Sequence, residues 1–376
     1  MVRVDSNIGQ KPAKGKQSAD NRAVRGLPRA YETSWKAPAG YNEVFKTPRR
    51  MSLVDNHSAF VKFRARLVAL LIAFADGVSR IVHHKGYWHA CSVLSWAVPK
   101  DLVVSVQIAN DAKFQFFLAD AYWNSLLGKF FVYEDDVARL LLSLSHVEYT
   151  FIDCGANFGY WSVLLSSGSF GNKRVIAVEA ASANFKLLLR NREANENRFD
   201  ALHAAVTDSD GEMVSLSSSK HHSAVSVSQH LGGETICSTT LDAIVRTNLT
   251  GFDGPLVIKL DIEGLEAAAM RSASGVLGRA LFIYEDHGDD PSCQTTAAVL
   301  NELRLTVYYI DAIGLMPIRC VEECRQIKKK RTLGYNFLAI SPTASLHREI
   351  DRFVLDRPSG GPNRHHGVEK IGKIPA

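Results

Sequence analysis

The sequence predicts a doubly wound α/β fold, and three features of the chain support this prediction. The first is a short apolar strand that runs into a glycine-rich turn and then a helix, over residues 149–165. The second is another apolar strand, 174–178, that ends in Glu179 about one βαβ unit after Asp153. The third is a regular alternation of strand and helix patterns up to residue 340. In such folds ligands bind at the carboxyl ends of the strands.

The individual elements follow from the periodicity of the apolar residues. Two β-rich runs around Asn110 and Asp111 predict a hairpin ahead of the α/β segment. The stretch 216–233 is rich in Ser, His and Gly and has no period, which predicts an active-site loop or lid. The basic run 325–331 predicts a solvated loop. The predicted helices are 61–83, 133–144, 182–193, 241–246, 265–271 and 294–303, and the predicted strands are 102–108, 113–118, 149–153, 174–178, 201–206, 256–260, 280–284, 305–310 and 335–340.

The turn from Gly155 to Gly159 is the most informative part of the chain. Its glycines let the backbone pass close to a ligand. A dinucleotide site needs G-x-G-x-x-G, but Ala156 and Asn157 fill the gap where a second glycine would face the pyrophosphate. A nucleoside with an amino-acid tail fits better, because Asp153 could hold its ammonium group while turn N–H groups face its carboxylate. S-adenosyl-L-methionine has both groups. A purely structural strand–turn–helix is the alternative.

Glu179 strengthens the cofactor interpretation. In a βαβ nucleotide fold, an acid at the end of the second strand binds the ribose hydroxyls. A lone acid after a strand can also cap the next helix, although Ser182 is itself a suitable cap. Two acids at successive strand ends predict the ribose role for Glu179.

These segments resemble the FkbM-type S-adenosylmethionine-dependent methyltransferases. The resemblance covers roughly residues 130–341, and the quoted motifs stand in the family's order. They are F-I-D-C-G-A-N-F-G from Phe151, V-I-A-V-E from Val175, N-F-K-L-L-L-R-N from Asn184, T-T-L-D from Thr239, I-K-L-D-I-E-G-L-E from Ile258 and, more weakly, N-F-L-A-I from Asn336. One departure is Ala180, where the family usually has proline.

The resemblance implies a class I methyltransferase fold with a mostly parallel seven-stranded sheet. It implies S-adenosyl-L-methionine as cofactor and methyl transfer to a hydroxyl of a sugar, a glycolipid or a secondary metabolite. It also implies that Ala205 and Val206 run along the adenine. The predicted cofactor-binding residues are Asp153, Gly155, Asn157, Gly159, Glu179, Ala180, Ala205 and Val206.

The chemistry is expected at the carboxyl ends of two middle strands. Lys259, Asp261 and Glu263 alternate along one strand end, and Glu285 and His287 alternate past the next, so each set shares a face. Transfer to a hydroxyl needs a base; His287 is the first candidate, with an unperturbed pKa near 6.5. Asp261 is the second candidate. Two alternatives stay open: Asp261 and Glu285 could hold a divalent cation, or the first set could be a structural ion-pair network.

The rest of the composition bounds the domain organisation. The net charge is +5, and residues 1–50 hold 11 Lys/Arg against 4 Asp/Glu, so the basic excess belongs to an N-terminal arm. We predict a disordered arm (1–50), a helical and β-hairpin extension (51–130), the methyltransferase domain (131–345) and a tail (346–376). The six scattered cysteines form no C-x-x-C pair and indicate a reducing cytoplasm.

The partners follow from the same features. The predicted partner is a small-molecule or glycan acceptor, nucleic acid is not expected, and the oligomeric state cannot be read from the sequence. The apolar run within 61–83 is nine residues long and is flanked by Lys62, Arg64, Arg66 and Arg80. This helix could lie on the inner face of an anionic membrane, or it could pack against its own domain or a partner subunit.

Two other functional classes remain open. A non-catalytic nucleoside-binding or scaffold protein could keep this fold. A nucleotide-dependent oxidoreductase is disfavoured by the missing glycine of the dinucleotide motif.

Overall fold

The computed structural model describes residues 37–45, 49–81, 86–128, 131–218, 225–228, 234–331 and 333–355. Two histidines of the predicted loop 216–233, His221 and His222, and the residues beyond 355 lie outside these ranges. The helices are α1 Tyr41–Phe45, α2 Ala59–Ile81, α3 Tyr87–Ser95, α4 Asp135–Ser143, α5 Tyr160–Leu165, α6 Ser182–Ala194, α7 Leu241–Asn248, α8 Glu266–Arg271, α9 Gln294–Asn301, α10 Val321–Ile327 and α11 His347–Asp351. The strands are β1 Met51–Leu53, β2 Val103–Ala109, β3 Ala112–Phe117, β4 Thr150–Cys154, β5 Arg174–Glu179, β6 Asp200–His203, β7 Ala205–Val206, β8 Met213–Ser218, β9 Val225–Ser228, β10 Glu234–Thr239, β11 Leu256–Leu260, β12 Ala280–His287, β13 Thr306–Asp311, β14 Gly314–Ile318 and β15 Gly334–Ile340.

The main sheet has eight strands in the order β14-β13-β15-β12-β11-β4-β5-β6. The block from β12 to β6 is parallel, whereas β15 runs antiparallel to both of its neighbours. The chain winds from β4 outward to β6 and then returns to β11 on the other side, so the order reverses between β4 and β11. This is the predicted doubly wound class I methyltransferase fold. The prediction of seven strands missed β14, which pairs with β13 at the edge.

Alternate side chains of the central strands feed two separate apolar cores. Phe151 and Val257 belong to the larger core, which also holds the N-terminal extension. Their neighbours Ile152 and Ile258 belong to the core on the opposite face. A strand buried on both faces reads as a continuous apolar run, which explains why these strands were visible in the sequence.

The prediction of a disordered arm through residue 50 is wrong at its C-terminal end. Residues Tyr41 and Phe45 of α1 are buried in the larger core. The Tyr41 ring lies under the guanidinium of Arg139, with 4.4 Å from the guanidinium carbon to the ring centroid, and its hydroxyl donates to Asp135. Arg49 donates to the carbonyls of Leu126 and Phe131 at 2.6 and 2.9 Å. The basic composition of residues 1–50 thus obscured the apolar side chains that attach the C-terminal end of the arm to the core.

Side-chain amides join the extension to the methyltransferase domain. Strand β3 is the edge of a three-stranded sheet ordered β1-β2-β3. Along that edge Asn191 accepts from the N–H of Gln115 at 2.6 Å and donates to its carbonyl at 2.9 Å. One helical turn later Asn195 bonds both backbone groups of Lys113, at 2.9 and 2.7 Å. The two asparagines thus pair with the strand as a neighbouring strand would.

Three further expectations need correction. The predicted strand 201–206 is two strands, because β6 stays in the main sheet while β7 pairs with β10 in a small sheet. Part of the predicted loop 216–233 is strand, since β8 and β9 pair antiparallel. The basic run 325–331 is not a solvated loop throughout, because it begins in α10 and the Lys328 side chain is buried against Asp286. No helix of the described ranges is both long and apolar enough to cross a membrane.

Candidate functional site

The turn after β4 is held by its own backbone. The N–H groups of Gly155 and Ala156 both donate to the carbonyl of Val178, at 2.9 and 3.0 Å. Gly155 has φ +77°, and a Cβ on it would lie 1.9 Å from the backbone oxygen of Asp261. Glycine is therefore required here by the approach of β11. Asn157 also has a positive φ of 53°, a conformation that asparagine tolerates.

The expectation that N–H groups of this turn face a cofactor carboxylate is wrong. Each N–H from Gly155 to Gly159 already donates to an acceptor in the protein. The last three acceptors are Glu179 for Asn157, the Asn157 side chain for Phe158, and the Ala156 carbonyl for Gly159. The N–H donors of the turn are therefore used in hydrogen bonds within the protein, because a tight connection between strand and helix leaves few backbone groups exposed to water.

Glu179 ties two connections together at the carboxyl end of β5. Its Oε2 accepts from the N–H of Asn157 at 2.8 Å, and its Oε1 accepts from the N–H of Ala181 at 2.9 Å. Burial raises the pKa of Glu179 to about 7, although these two hydrogen bonds oppose the shift. Oε1 also accepts from the side-chain amide of Asn184 at 3.4 Å, so Oε2 is the oxygen that keeps a second lone pair for a ribose hydroxyl.

Asp153 is also buried, at the end of β4. Its Oδ2 accepts from the hydroxyl of Ser162 in α5 at 2.6 Å. Burial raises the pKa of Asp153, while Lys259 and Ser162 oppose the shift. In the sheet Asp153 on β4 is the register partner of Lys259 on β11. The strand ends that carry Asp153 and Glu179 therefore lie at the same edge of the sheet as the end of β11.

A cleft with an empty volume of about 850 Å³, open solvent included, lies at this edge. One end is formed by Asp153, Glu179 and the apolar side chains around Val206; we call it the nucleoside end. The other end is formed by Lys259, Asp261 and the aromatic residues after β3; we call it the acceptor end. The lining residues are Tyr122, Trp123, Tyr133, Asp153, Gly155, Ala156, Asn157, Tyr160, Trp161, Val178, Glu179, Ala180, Asn184, Ala204, Ala205, Val206, Leu216, Lys259, Asp261, Ile262, Glu263 and Leu265.

Lys259 is the buried cation of the acceptor end. Its Nζ lies 2.9 Å from Oδ2 of Asp261 and 3.6 Å from Oε2 of Glu134. Burial opposes the charge, but Asp261, Glu134 and Asp153 outweigh it and raise the pKa of Lys259 well above its usual value. Burial raises the pKa of Glu134 to about 7 against the pull of Lys259. The indole N–H of Trp161 also donates to Glu134 at 2.6 Å.

His287 lies between two carboxylates beside the cleft lining. Its Nε2 is 3.7 Å from Oε2 of Glu263, and its Nδ1 is 3.7 Å from Oε1 of Glu285. Burial and the charge of Asp261 raise the pKa of Glu263 to about 7. Burial, Asp261 and Glu134 raise the pKa of Glu285 well above its usual range. The acceptor end thus gathers more carboxylates than cations.

Two small features hold these acids in place. Glu266 accepts from the N–H of Ile262 at 3.2 Å and from that of Gly264 at 3.1 Å, and so closes the turn that carries Glu263. Gly334 stands opposite His287 in the β12–β15 register. A Cβ on Gly334 would lie 1.0 Å from Oε1 of Glu285, so a larger residue at this position would displace that carboxylate.

A metal-ligating geometry occurs elsewhere in the described ranges. Side chains of Asp286, Cys293 and Cys324 bring their ligand atoms within 4.8 Å of one another. This buried group already contains a cation, because the Lys328 ammonium pairs with Asp286. Asp261 and Glu285 are not part of such a group, and a divalent cation at these two acids stays a prediction.

The comparison with protein families decides the classification of this region. Residues 153–308 match the family described as the methyltransferase FkbM domain. This chain carries a methyltransferase FkbM domain. The chain matches none of the curated proteins with which it was compared.

Several solved structures are similar to part of this chain. The FkbM methyltransferase of Methylobacillus flagellatus aligns at 15% identity and a TM-score of 0.32, over 59% of this chain and 54% of its own. This chain therefore spans about half of that protein. The O-methyltransferase of Bacillus cereus in complex with SAH aligns at 14% identity and 0.34, over 56% and 83%. The precorrin-6y C5,15-methyltransferase of Geobacter metallireducens aligns at 11% and 0.32, over 56% and 90%.

The structure brings most predicted site residues of the FkbM domain to the cleft. The predicted cofactor residues line it, except Gly159, whose Cβ position is closed by Leu188 at 2.4 Å. Among the predicted catalytic residues, Lys259, Asp261 and Glu263 line the cleft, whereas Glu285 and His287 lie behind Glu263. Because β12 extends to His287, both residues belong to the strand and do not follow it.

Glu134 was not predicted as a site residue. It lies ahead of the FkbM domain and has φ 43° at the N-terminus of α4. In the sequence it is one of three successive acids, 134–136, which are typical of a helix start. The only sequence signal that could have indicated Glu134 is the order of the segments, since this acidic helix directly precedes the cofactor strand.

Proposed function

We propose that this protein is an S-adenosyl-L-methionine-dependent methyltransferase that transfers the methyl group to a hydroxyl of a sugar, a glycolipid or a secondary metabolite. The observation that carries the proposal is the two-ended cleft. A nucleoside end with two strand-end carboxylates adjoins an acceptor end lined by a lysine and two carboxylates, and a histidine lies directly behind one of these carboxylates. The cleft lies at the point where the strand order reverses, where α/β folds bind their ligands.

The chemistry of the nucleoside end fits this cofactor. Ala205, Val206 and Leu216 offer an apolar wall for adenine. Oε2 of Glu179 keeps a lone pair for a ribose hydroxyl, and Asp153 supplies a negative charge for the ammonium group. Since the turn donors are already used, the carboxylate of the cofactor must find water or a side chain.

At the acceptor end the protein's own residues would position the hydroxyl and take its proton. When bound, the cofactor supplies a methyl group on a sulfonium, and the methyl moves from sulfur to the acceptor oxygen. In our proposal the O–H proton goes to His287 by way of the Glu263 carboxylate, which lines the cleft in front of the imidazole, while Glu285 orients the ring from its other side. Tyr122 donates to Tyr133 at 3.0 Å, and both hydroxyls stand at the cleft, where they suit a polyhydroxyl acceptor.

Titration calorimetry tests the cofactor assignment. We expect binding of S-adenosylmethionine and S-adenosylhomocysteine and none of NAD. Binding of NAD alone would contradict the proposal. Binding of the nucleosides without methyl transfer to any extract would favour a scaffold role.

The acceptor can be sought with methyl-labelled cofactor. The label should enter sugars, glycolipids or small metabolites in an extract of cells that lack the protein. Asp261→Asn should abolish the incorporation, and Asp253→Asn, an acid outside the cleft lining, should not. Label on amines or carbon alone would refute transfer to a hydroxyl.

A further inference from the structure

Helix α2 exposes an apolar stripe that the described part of the chain does not cover. Its seven large side chains are between 41% and 71% exposed, and we call them the α2 stripe: Phe60, Phe63, Leu67, Leu70, Leu71, Phe74 and Val78. At 3.6 residues per turn the α2 stripe fills an arc of about 100° and is about 27 Å long. Such a patch on a folded protein marks an interaction surface.

The opposite face of α2 already packs on the protein. Ala65, Val68 and Ile72 are buried in the larger core, and Asp76 is buried on the same side. The packing on this face fixes the helix, so the α2 stripe cannot turn inward. The structure therefore needs a second apolar phase outside the molecule.

The charges around the α2 stripe identify that phase. Arg64 and Arg66 fall just outside its two borders on the helical wheel, and the Arg64 guanidinium carbon lies 5.5 Å from the Phe60 ring centroid. Asp76, the one acidic residue of α2, is buried away from the surface. Basic side chains beside an apolar face match anionic headgroups above acyl chains.

A neighbouring tryptophan extends the same surface. Trp96 follows α3 and is 88% exposed. Arg64 donates to the carbonyl of Ala97, which holds this corner against α2. Exposed tryptophan is favoured at the depth of lipid headgroups.

We propose that the α2 stripe lies in the surface of an anionic bilayer, with α2 parallel to the membrane plane. Two other occupants fit less well. A second copy in a symmetric pair would place Arg66 near its equivalent, and α2 offers no exposed acid to pair with it. The N-terminal segment 1–36 is itself basic and contains few large apolar residues with which to cover the α2 stripe.

Vesicle co-sedimentation of the full chain tests this proposal. The protein should bind vesicles of phosphatidylcholine mixed with phosphatidylglycerol, and binding to pure phosphatidylcholine should be much weaker. The triple variant Phe63→Ser/Leu70→Ser/Phe74→Ser should bind at least about tenfold less, because three apolar side chains no longer enter the bilayer. At low salt, Arg66→Glu should bind the anionic vesicles about fivefold less than the native protein does. At high salt this difference should disappear, because salt screens the charge.

Matched controls separate membrane contact from misfolding. Met213→Ser removes an apolar side chain that is 67% exposed on β8, and it should bind vesicles as the native protein does. All variants should keep the native melting temperature.

Three outcomes would overturn the proposal. The triple variant could bind as the native protein does. Removal of residues 1–36 alone could abolish binding while the triple variant retains it. The native protein could fail to bind vesicles and sediment as a dimer, while the triple variant sediments as a monomer. That result would assign the α2 stripe to a second copy of the chain.

Discussion

The two ends of the cleft treat their carboxylates differently. At the nucleoside end, Glu179 and Asp153 accept hydrogen bonds from backbone N–H groups and a serine hydroxyl. At the acceptor end, Asp261 and Glu134 share the buried cation Lys259. Neutral donors position a carboxylate for binding. A shared cation couples several acids, so the loss of a proton by one of them changes the electrostatic field at all the others. This coupling suits an end of the cleft where protons must move.

The largest expected effect is at the acceptor end. Replacing His287 by Gln should reduce methyl transfer by about 10²–10⁴-fold, the range for a general base. Affinity for S-adenosylmethionine should stay nearly native, since His287 lies outside the nucleoside end. Turnover with labelled cofactor and calorimetry measure the two quantities.

His146→Gln serves as the control, because that imidazole is 60% exposed and pairs with Glu349 away from the cleft. Chelation by EDTA should change nothing. Activity that is lost on chelation and restored by magnesium would move the chemistry to Asp261 and Glu285. If His287→Gln reduced cofactor affinity as strongly as it reduced turnover, the two ends of the cleft would not have separate functions.

Lys259→Met should lower the free energy of unfolding by about 3–5 kcal/mol, because it leaves buried carboxylates without their cation. The raised pKa of Lys259 means that its contribution is complete below its ordinary pKa and is lost only as pH rises through the raised value. The full effect should therefore appear in urea unfolding at neutral pH.

Lys328→Met breaks the other buried lysine pair, with Asp286, on the far side of β12. It should also destabilise the protein. Turnover measured at a temperature where both variants are folded should fall only for Lys259→Met. Similar turnover in the two variants would make the acceptor-end ions purely structural.

At the nucleoside end, Glu179→Ala should weaken S-adenosylmethionine binding by about 1.5–3 kcal/mol, the range for hydrogen bonds to a charged group. Burial raises the pKa of Glu179 to about 7, so the ionised form that ribose prefers is depleted below that pH. Affinity should rise with pH up to about tenfold per unit below pH 7 and then level off.

Glu179→Gln keeps the size of the side chain and should remove this pH dependence. Glu302→Ala, which removes an exposed acid paired with Arg271, is the control. Native affinity together with a lower melting temperature in Glu179→Ala would show that Glu179 only connects the turn to β5.

The smallest effect is expected from removal of residues 1–36, which should leave folding and cofactor binding unchanged. A variant that starts at Ser52 should be less stable, because it also lacks the buried side chains of α1. Tyr41 contacts Asp135 and Arg139 of α4, the helix whose first residue follows Glu134, so turnover should suffer more than cofactor affinity. Thermal unfolding and calorimetry on both variants measure this difference.

The nucleoside end could be predicted because its parts are local. Strand, turn and acid follow one another from Phe151 to Gly159, and the glycine pattern reports the backbone directly. The acceptor end could be predicted only in part. Lys259 and Asp261 alternate along one strand, but Glu134 reaches them from more than a hundred residues earlier in the chain.

Other misses share this physical reason. The burial of Lys328 depends on Asp286, 42 residues away, and nothing in a basic run announces such a partner. The absence of a side chain at Gly334 makes room for the carboxylate of Glu285 on the neighbouring strand, a contact that the sequence does not indicate. Strand β14 contains Pro317, which argues against a strand in the sequence and is tolerated here because β14 lies at the edge of the sheet.

The asparagines on α6 have a consequence for the growing polypeptide. Without Asn191 and Asn195, the outer edge of β3 would expose backbone donors and acceptors at Lys113 and Gln115, the kind of edge to which strands of other molecules add. Asn191 covers Gln115 from 76 residues further along the chain. At typical synthesis rates of about 5–20 residues per second, this edge is open for several seconds on the ribosome. Aggregation during translation, rather than in the mature fold, is therefore the hazard that this hairpin carries.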